Sequence, residues 1–233
     1  MRILAIGAHP DDIEILCAGT LARYRKAGHE VTICIATDGT AGHKKVPPEE
    51  LAQIRRRESQ ASASVLGAEL LWLGFPDELL FDDKTTRVGF TEAIRTARPD
   101  LIITHSPFDY HPDHRAVSKI VLGASFVSSL SNIQTEHPVH ENVAPIYYMD
   151  TLAGRNFHPQ EYVDIGDTLA VKREMLACHA SQLEWLTDHD GIRIIDFMET
   201  MARARGLQAG VDYAEGFSAE PVWPRGNTSR LLP

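Results

Sequence analysis

Cysteine is scarce and scattered. The chain has three, Cys17, Cys34 and Cys178, and no two form a C-x-x-C pair. A catalytic cysteine would need a dedicated histidine, and the histidines cluster elsewhere, so the three read as buried small hydrophobes. Long apolar runs are missing too: no stretch reaches the length of a bilayer-spanning helix. The apolar segment at the N-terminus is short and runs into Asp11 and Asp12 without an A-x-A site, which does not make a signal peptide. The expectation is a cytoplasmic protein. There is no basic excess: the net charge of −9 argues against a nucleic-acid binder. No G-x-G-x-x-G follows the first strand, which disfavours a dinucleotide site there. Internal repeats and low-complexity tracts are absent.

The rest is an ordinary globular composition, 43% hydrophobic and 24% charged over 233 residues. That length suits one domain, residues 1–233, burying roughly 70% of its unfolded surface without disulfides or a structural metal. Apolar runs at 2–8, 31–37, 69–73 and 100–105 read as strands. They alternate with helices at 18–27, 49–66, 86–98 and 113–130, and the spacing predicts an α/β, Rossmann-like fold: a mostly parallel sheet sandwiched by helices. Residues 1–130 make that core. Residues 131–233 read as a smaller C-terminal strand/helix extension of the same domain. It has short strands at 146–149 and 162–165, a helix from an Asp167 N-cap to about 180, a helix at 192–209, and a tail from 211 that wraps the surface.

Two clusters carry the chemistry, His9-Pro10-Asp11-Asp12 and His111-Pro112-Asp113-His114. Each follows a buried strand, and a parallel sheet brings such strand ends together. Two histidines and a carboxylate, His9, Asp12 and His114, suit Zn²⁺ with water in the open position, whose pKa falls to roughly 7. Asp11, beside a ligand, is the candidate general base. His111 is placed to donate to an oxyanion or protonate the leaving amine, with Asp113 orienting its ring and raising its pKa. An Asp-Asp pair at a strand-to-helix junction is often only a cap. Both clusters together favour the metal. His105 ends the fourth strand and is a lesser candidate, and His179 reads as a packed histidine. His29, His137, His140, His158 and His189 read as surface residues.

The two clusters resemble those of the PIG-L / LmbE-like zinc N-deacetylases, whose members remove acetyl groups from N-acetylglucosamine conjugates. The resemblance spans nearly the whole chain. It implies a Zn²⁺ cofactor, with another divalent metal such as Fe²⁺ as the alternative, and a small-molecule amino-sugar substrate, with no nucleic acid or membrane partner. Arg55-x-x-Glu58 looks like the family's substrate-binding arginine segment. Leu73-Gly74-Phe75-Pro76-Asp77 looks like its turn with a substrate-contacting aspartate. On that likeness Arg55 and Asp77 stand at the rim, Arg55 gripping a carboxylate and Asp77 accepting from sugar hydroxyls. Ser181-Gln182 and Tyr213 to Phe217 look like the bacillithiol-pathway branch, which deacetylates N-acetylglucosaminyl-malate, so an anionic aglycone is expected. A subunit contact in a homo-oligomer is the alternative use of Tyr213 to Phe217. In the mycothiol branch a catalytic tyrosine sits two residues before the first histidine of the second cluster. Here Asp109 holds that place and the role is not carried over. The alternative functions are an amidase on a larger conjugate with the same metal site, and a non-catalytic carbohydrate-binding relic.

Overall fold

The computed structural model describes residues 1–223 and 229–233. Its seven strands form one sheet in the order β3-β2-β1-β4-β5-β7-β6. Strands β1 (Arg2–Gly7), β2 (Glu30–Thr37), β3 (Glu69–Phe75), β4 (Leu101–Thr104) and β5 (Ile146–Met149) are parallel, as the sequence predicts. The chain moves outward from β1 through β2 to β3, then returns to place β4 on the other side of β1. The order therefore reverses at β1, and a crevice opens beyond the carboxyl ends of β1 and β4.

Burial explains the apolar runs. Helices cover both faces, so central parallel strands are apolar at every position rather than at every second one. Ile3, Ala5, Ile33 and Ile103 point to one face, against α1 (Asp12–Leu16), α2 (Ala18–Lys26), α3 (Pro48–Leu66), α6 (Leu169–Ala177) and α8 (Ile194–Ala209). Leu4, Ile6, Cys34 and Ile102 point to the other, against α4 (Lys84–Ala97) and α5 (Pro112–Val127). Cys17 and Cys34 are buried and Cys178 is half-buried, all three as free thiols. No helix among the described residues is long and apolar enough to cross a membrane.

The C-terminal extension differs from expectation in three places. Asp167 does not cap a helix. It lies in a short turn, and Thr168 precedes α6 without a side-chain cap. An unanticipated helix follows, α7 (Ala180–Asp190), none of whose residues is buried, so its sequence carries no strong apolar stripe. The tail does not simply wrap the surface. Residues Ala214–Ala219 form β7, antiparallel to β5 on one side and to β6 (Glu161–Asp164) on the other, with Phe217 fully buried. Residues 214–217 of the segment singled out in the sequence are therefore packed inside the sheet. Residues 224–228 of the tail lie outside the described residues. His140, read as a surface residue, is buried with its Nε2 2.8 Å from the Pro99 carbonyl.

A buried charge pins β7. The Glu215 carboxylate accepts the backbone N–H groups of Gly19 (3.0 Å) and Thr20 (2.7 Å) at the start of α2 and is paired with Lys172 of α6. Both side chains are about as inaccessible as core leucines. Removing one partner strands a charge in the interior. Lys172→Met is expected to cost about 3–5 kcal/mol of unfolding free energy, measured by urea denaturation. A loss below about 1 kcal/mol would show that the two amide donors satisfy Glu215 alone.

Candidate active site

The turn after β1 is built to project acids and imidazoles into the crevice. Pro10 precedes Asp11, whose φ of 106° is left-handed, an uncommon and strained state for a residue with a side chain. The turn closes when the His9 N–H donates to Asp12 Oδ2 at 2.7 Å. Gly7 lets the turn approach α1, since a Cβ there would sit 3.1 Å from Ile13 Cγ1. The second cluster starts α5, with His111 as N-cap residue and Pro112 in the first turn.

The structure brings His9, Asp12 and His114 together. His9 Nδ1 lies 3.4 Å from Asp12 Oδ2 and 3.3 Å from His114 Nε2, and His114 Nε2 lies 3.2 Å from Asp12 Oδ1. Tetrahedral metal bonds of about 2.0–2.1 Å put ligand atoms about 3.3–3.4 Å apart. The two imidazole nitrogens therefore stand at such a separation, and each faces a different oxygen of the Asp12 carboxylate. His105 Nε2 is 3.1 Å from Asp12 Oδ2 and 3.0 Å from the Ala8 amide, inside the same cluster. It is closer to the centre than its position at the end of a strand suggested.

Outer partners fix the imidazoles. His114 Nδ1 lies 3.0 Å from Asp109 Oδ2, an arrangement in which Nδ1–H donates and Nε2 keeps its lone pair for a metal. Asp109 is thus a site residue that sequence reasoning noted only as a missing tyrosine. Its signal was a carboxylate five residues before a ligand histidine. His9 Nε2 faces Asp77 Oδ1 at 3.3 Å and Asp113 Oδ2 at 3.4 Å. These acids stand behind His9, which corrects the expectation for Asp113. The Asp113 carboxylate does not hold the His111 ring. It accepts the N–H groups of Glu78 (3.0 Å) and Leu80 (3.4 Å), tying the loop after β3 to α5. Asp77 also accepts the Ala41 N–H at 2.9 Å, so it braces the loop after β2.

The charges fit a cation. Burial disfavours an imidazolium at His9, yet Asp12, Asp113 and Asp77 outweigh it and raise the pKa well above the usual histidine value. His114 rises to about 9, because Asp12 and Asp109 overcome burial. The acids demand positive charge at this spot, and a divalent ion can replace those protons. Asp11 is pushed up to about 7, by burial first and by the Asp12 charge second. Its carboxylate has no hydrogen-bond partner among the described residues. His111 moves down, through burial and then the charges of His114 and His9, the reverse of the expected rise. Its Nδ1 accepts the Asp113 N–H at 3.3 Å, which leaves the proton of the neutral ring on Nε2.

Arg55 is not at the rim with a free fork. It is 2% exposed, and its guanidinium donates to the Gly39 and Gly42 carbonyls and to Gln182 Oε1. Gly39 is required there, as its φ is +67° and a Cβ would meet Arg55 at 2.9 Å. One turn on, Glu58 accepts the N–H (2.8 Å) and hydroxyl (2.7 Å) of Ser181. Two distant segments singled out in the sequence therefore clamp each other, joining α3 to α7. His179 is packed, as expected, with Nε2 3.3 Å from Glu14 Oε1. The metal-type cluster opens into a cavity of about 480 Å³ that Asp11, Arg55, Asp77 and His111 also line.

Residues 4–125 match the family described as PIG-L, GlcNAc-PI de-N-acetylase, and both clusters fall inside the match. The chain belongs to the PIG-L family. That family description and the deacetylase relatives support hydrolytic N-deacetylation, and metal dependence is general in the family. Diacetylchitobiose deacetylase of Thermococcus kodakarensis is 28% identical over 232 residues, covering 94% of this chain and 83% of that protein. The structure of N,N'-diacetylchitobiose deacetylase from Pyrococcus horikoshii superposes with a TM-score of 0.81 at 29% identity, covering 94% of this chain and 83% of that one. The 4-carboxy-2-hydroxymuconate hydratase of Pseudomonas putida KT2440 superposes with a TM-score of 0.83, covering 99% of this chain and 100% of that one. At 21% identity that likeness shows the fold alone.

Proposed function

We propose that the protein is a zinc-dependent hydrolase that removes the N-acetyl group from an N-acetylglucosamine-type glycoside. The observation that carries this reading is the set of mutual distances of 3.2–3.4 Å among His9, Asp12 and His114, beside the unpartnered carboxyl of Asp11. Imidazole, imidazole and carboxylate form a donor set that zinc accepts, and Asp109 behind His114 supplies the supporting shell. When bound, the ion supplies an acidified water and a Lewis acid for the amide carbonyl.

The chain's own groups do the rest. Asp11 removes the proton from the attacking water and delivers it to the departing amine nitrogen. His111 donates from Nε2 to the amide oxygen as it becomes anionic. Asp77 and Asp113 hold His9 in register. Relatives that cover most of this chain are named for diacetylchitobiose, which supports an N-acetylated amino sugar as the substrate.

Acetate release by the zinc-loaded protein from N-acetylglucosamine, diacetylchitobiose and N-acetylglucosaminyl-malate tests the reading. Acetate and free amine are expected in equal amounts from at least one of them. No acetate from any of the three would overturn it. His111→Ala is expected to lower kcat by roughly 10²–10³-fold, as for a lost oxyanion donor, with a smaller change in KM. An effect confined to KM would make His111 a substrate-binding residue instead.

A further inference from the structure

The cavity's lining divides by element. Loops at the carboxyl ends of β1, β3 and β4 contribute acids and imidazoles. The C-terminal extension contributes a mainly apolar wall, Leu152 after β5, Trp185 and Leu186 of α7, Ile192, and Ile194 and Phe197 of α8, interrupted by Arg155, Gln182 and Asp190. A volume of about 480 Å³ is within the roughly 300–1,000 Å³ of small-molecule pockets and exceeds what one sugar ring needs. We propose that this wall is the aglycone subsite, and that the substrate is an amino-sugar glycoside whose aglycone is uncharged and apolar, an aryl or alkyl group. The proposal rests on the deacetylase reading above and deepens it.

Three observations support it. First, the wall is continuous with the metal-type cluster inside one cavity, so a ligand with its amide at His9, Asp12 and His114 extends along it. Second, Trp185 is flanked by ring and cation neighbours, with Lys44 Nζ 5.6 Å from its ring centroid. His189 stacks on it at 4.3 Å between ring centroids, and His43 of the loop after β2 lies 6.1 Å away. Gly42 lets that loop approach, since a Cβ there would sit 3.2 Å from Trp185 Nε1. An indole supplies a large apolar face at the cost of only two side-chain torsions. Third, the charge lining the cavity does not suit an anionic aglycone. Asp11, Asp12, Asp77, Glu78 and Asp190 face it against Arg55 and Arg155, and Arg55 is already engaged. A divalent ion brings that lining close to neutral, not to an excess of positive charge. Malate, expected while Arg55 was read as a free fork, loses Arg55 as its reader and keeps only Arg155 at the cavity's exposed edge.

The test compares kcat/KM of the zinc-loaded enzyme for N-acetylglucosamine, its phenyl β-glycoside and its malate conjugate. The phenyl glycoside is expected to exceed the free sugar by roughly ten- to a hundredfold, mainly through KM, because an aryl group on the wall is bound equally in the ground and transition states. In Trp185→Ala that ratio should fall by about tenfold. Equal values for sugar and phenyl glycoside, or a preference for the malate conjugate, would overturn the proposal. So would a preference for an N-octanoyl amide over the phenyl glycoside, which would put the acyl chain on the wall. Calorimetric binding of phenyl β-D-glucosaminide separates this proposal from the activity. Should no N-acetyl glycoside be turned over, tighter binding of that compound than of glucosamine, lost in Trp185→Ala, would support the subsite while the deacetylase reading fails. Equal binding would overturn the subsite as well.

Discussion

Asp11→Asn is expected to keep its metal and lose kcat by roughly 10²–10⁴-fold, the share that a positioned general base contributes. The substitution is close to isosteric and suits the backbone. Asparagine tolerates left-handed φ at least as well as aspartate, so the strained turn at 106° should survive. It leaves His9, Asp12 and His114 untouched, and Asp11 makes no hydrogen bond whose loss would loosen the loop. What it removes is a buried carboxyl beside the cluster whose pKa, raised to about 7, suits it to take a proton. Metal content by atomic absorption and turnover by acetate release, measured on the same sample, give the answer. Near-normal turnover would exclude Asp11 as the base. Loss of metal would make it a ligand.

The second large effect concerns the metal. His114→Ala removes a ligand atom that lies 3.2 Å from Asp12 and 3.3 Å from His9, and is expected to weaken zinc by more than about 100-fold and abolish turnover. Asp109→Asn should give a graded version. The amide can still face His114 Nδ1, but it no longer supplies the charge that fixes the tautomer and raises the basicity of the ring. A loss of about 10–100-fold in metal affinity or activity is the usual size for such a partner. Zinc titration against a competing chelator measures both variants. Unchanged affinity in His114→Ala would refute the ligand assignment. An Asp109→Asn protein as deficient as His114→Ala would mean that Asp109 binds the metal itself.

The parallel core and the two metal-type clusters were legible in the sequence because each rests on local pattern. A buried parallel strand is an unbroken apolar run, and the residue that ends such a run lies at the crevice, so His9 to Asp12 and His111 to His114 could be placed without coordinates. Contacts made between segments were not legible. Asp77 and Asp113 converge on His9 Nε2 from the loop after β3 and the first turn of α5, and no spacing in the chain announces it. Arg55 looked free because its partners, Gly39, Gly42 and Gln182, are backbone carbonyls and a residue 127 positions away. The extension was read least well. In α7 every residue stays at least partly exposed, so its apolar side chains form no strong stripe. In β7 a buried glutamate and a glycine interrupt the alternation that marks a strand, and Lys172 makes that glutamate tolerable.

The most direct measurement is acetate release before and after metal removal. The purified protein is stripped with a chelator, dialysed, and assayed on an N-acetylglucosaminide with and without one equivalent of zinc, alongside a bound-metal determination. The account predicts one metal per chain, loss of acetate release on stripping, and recovery at one equivalent. Full activity in stripped protein that holds no metal would contradict it.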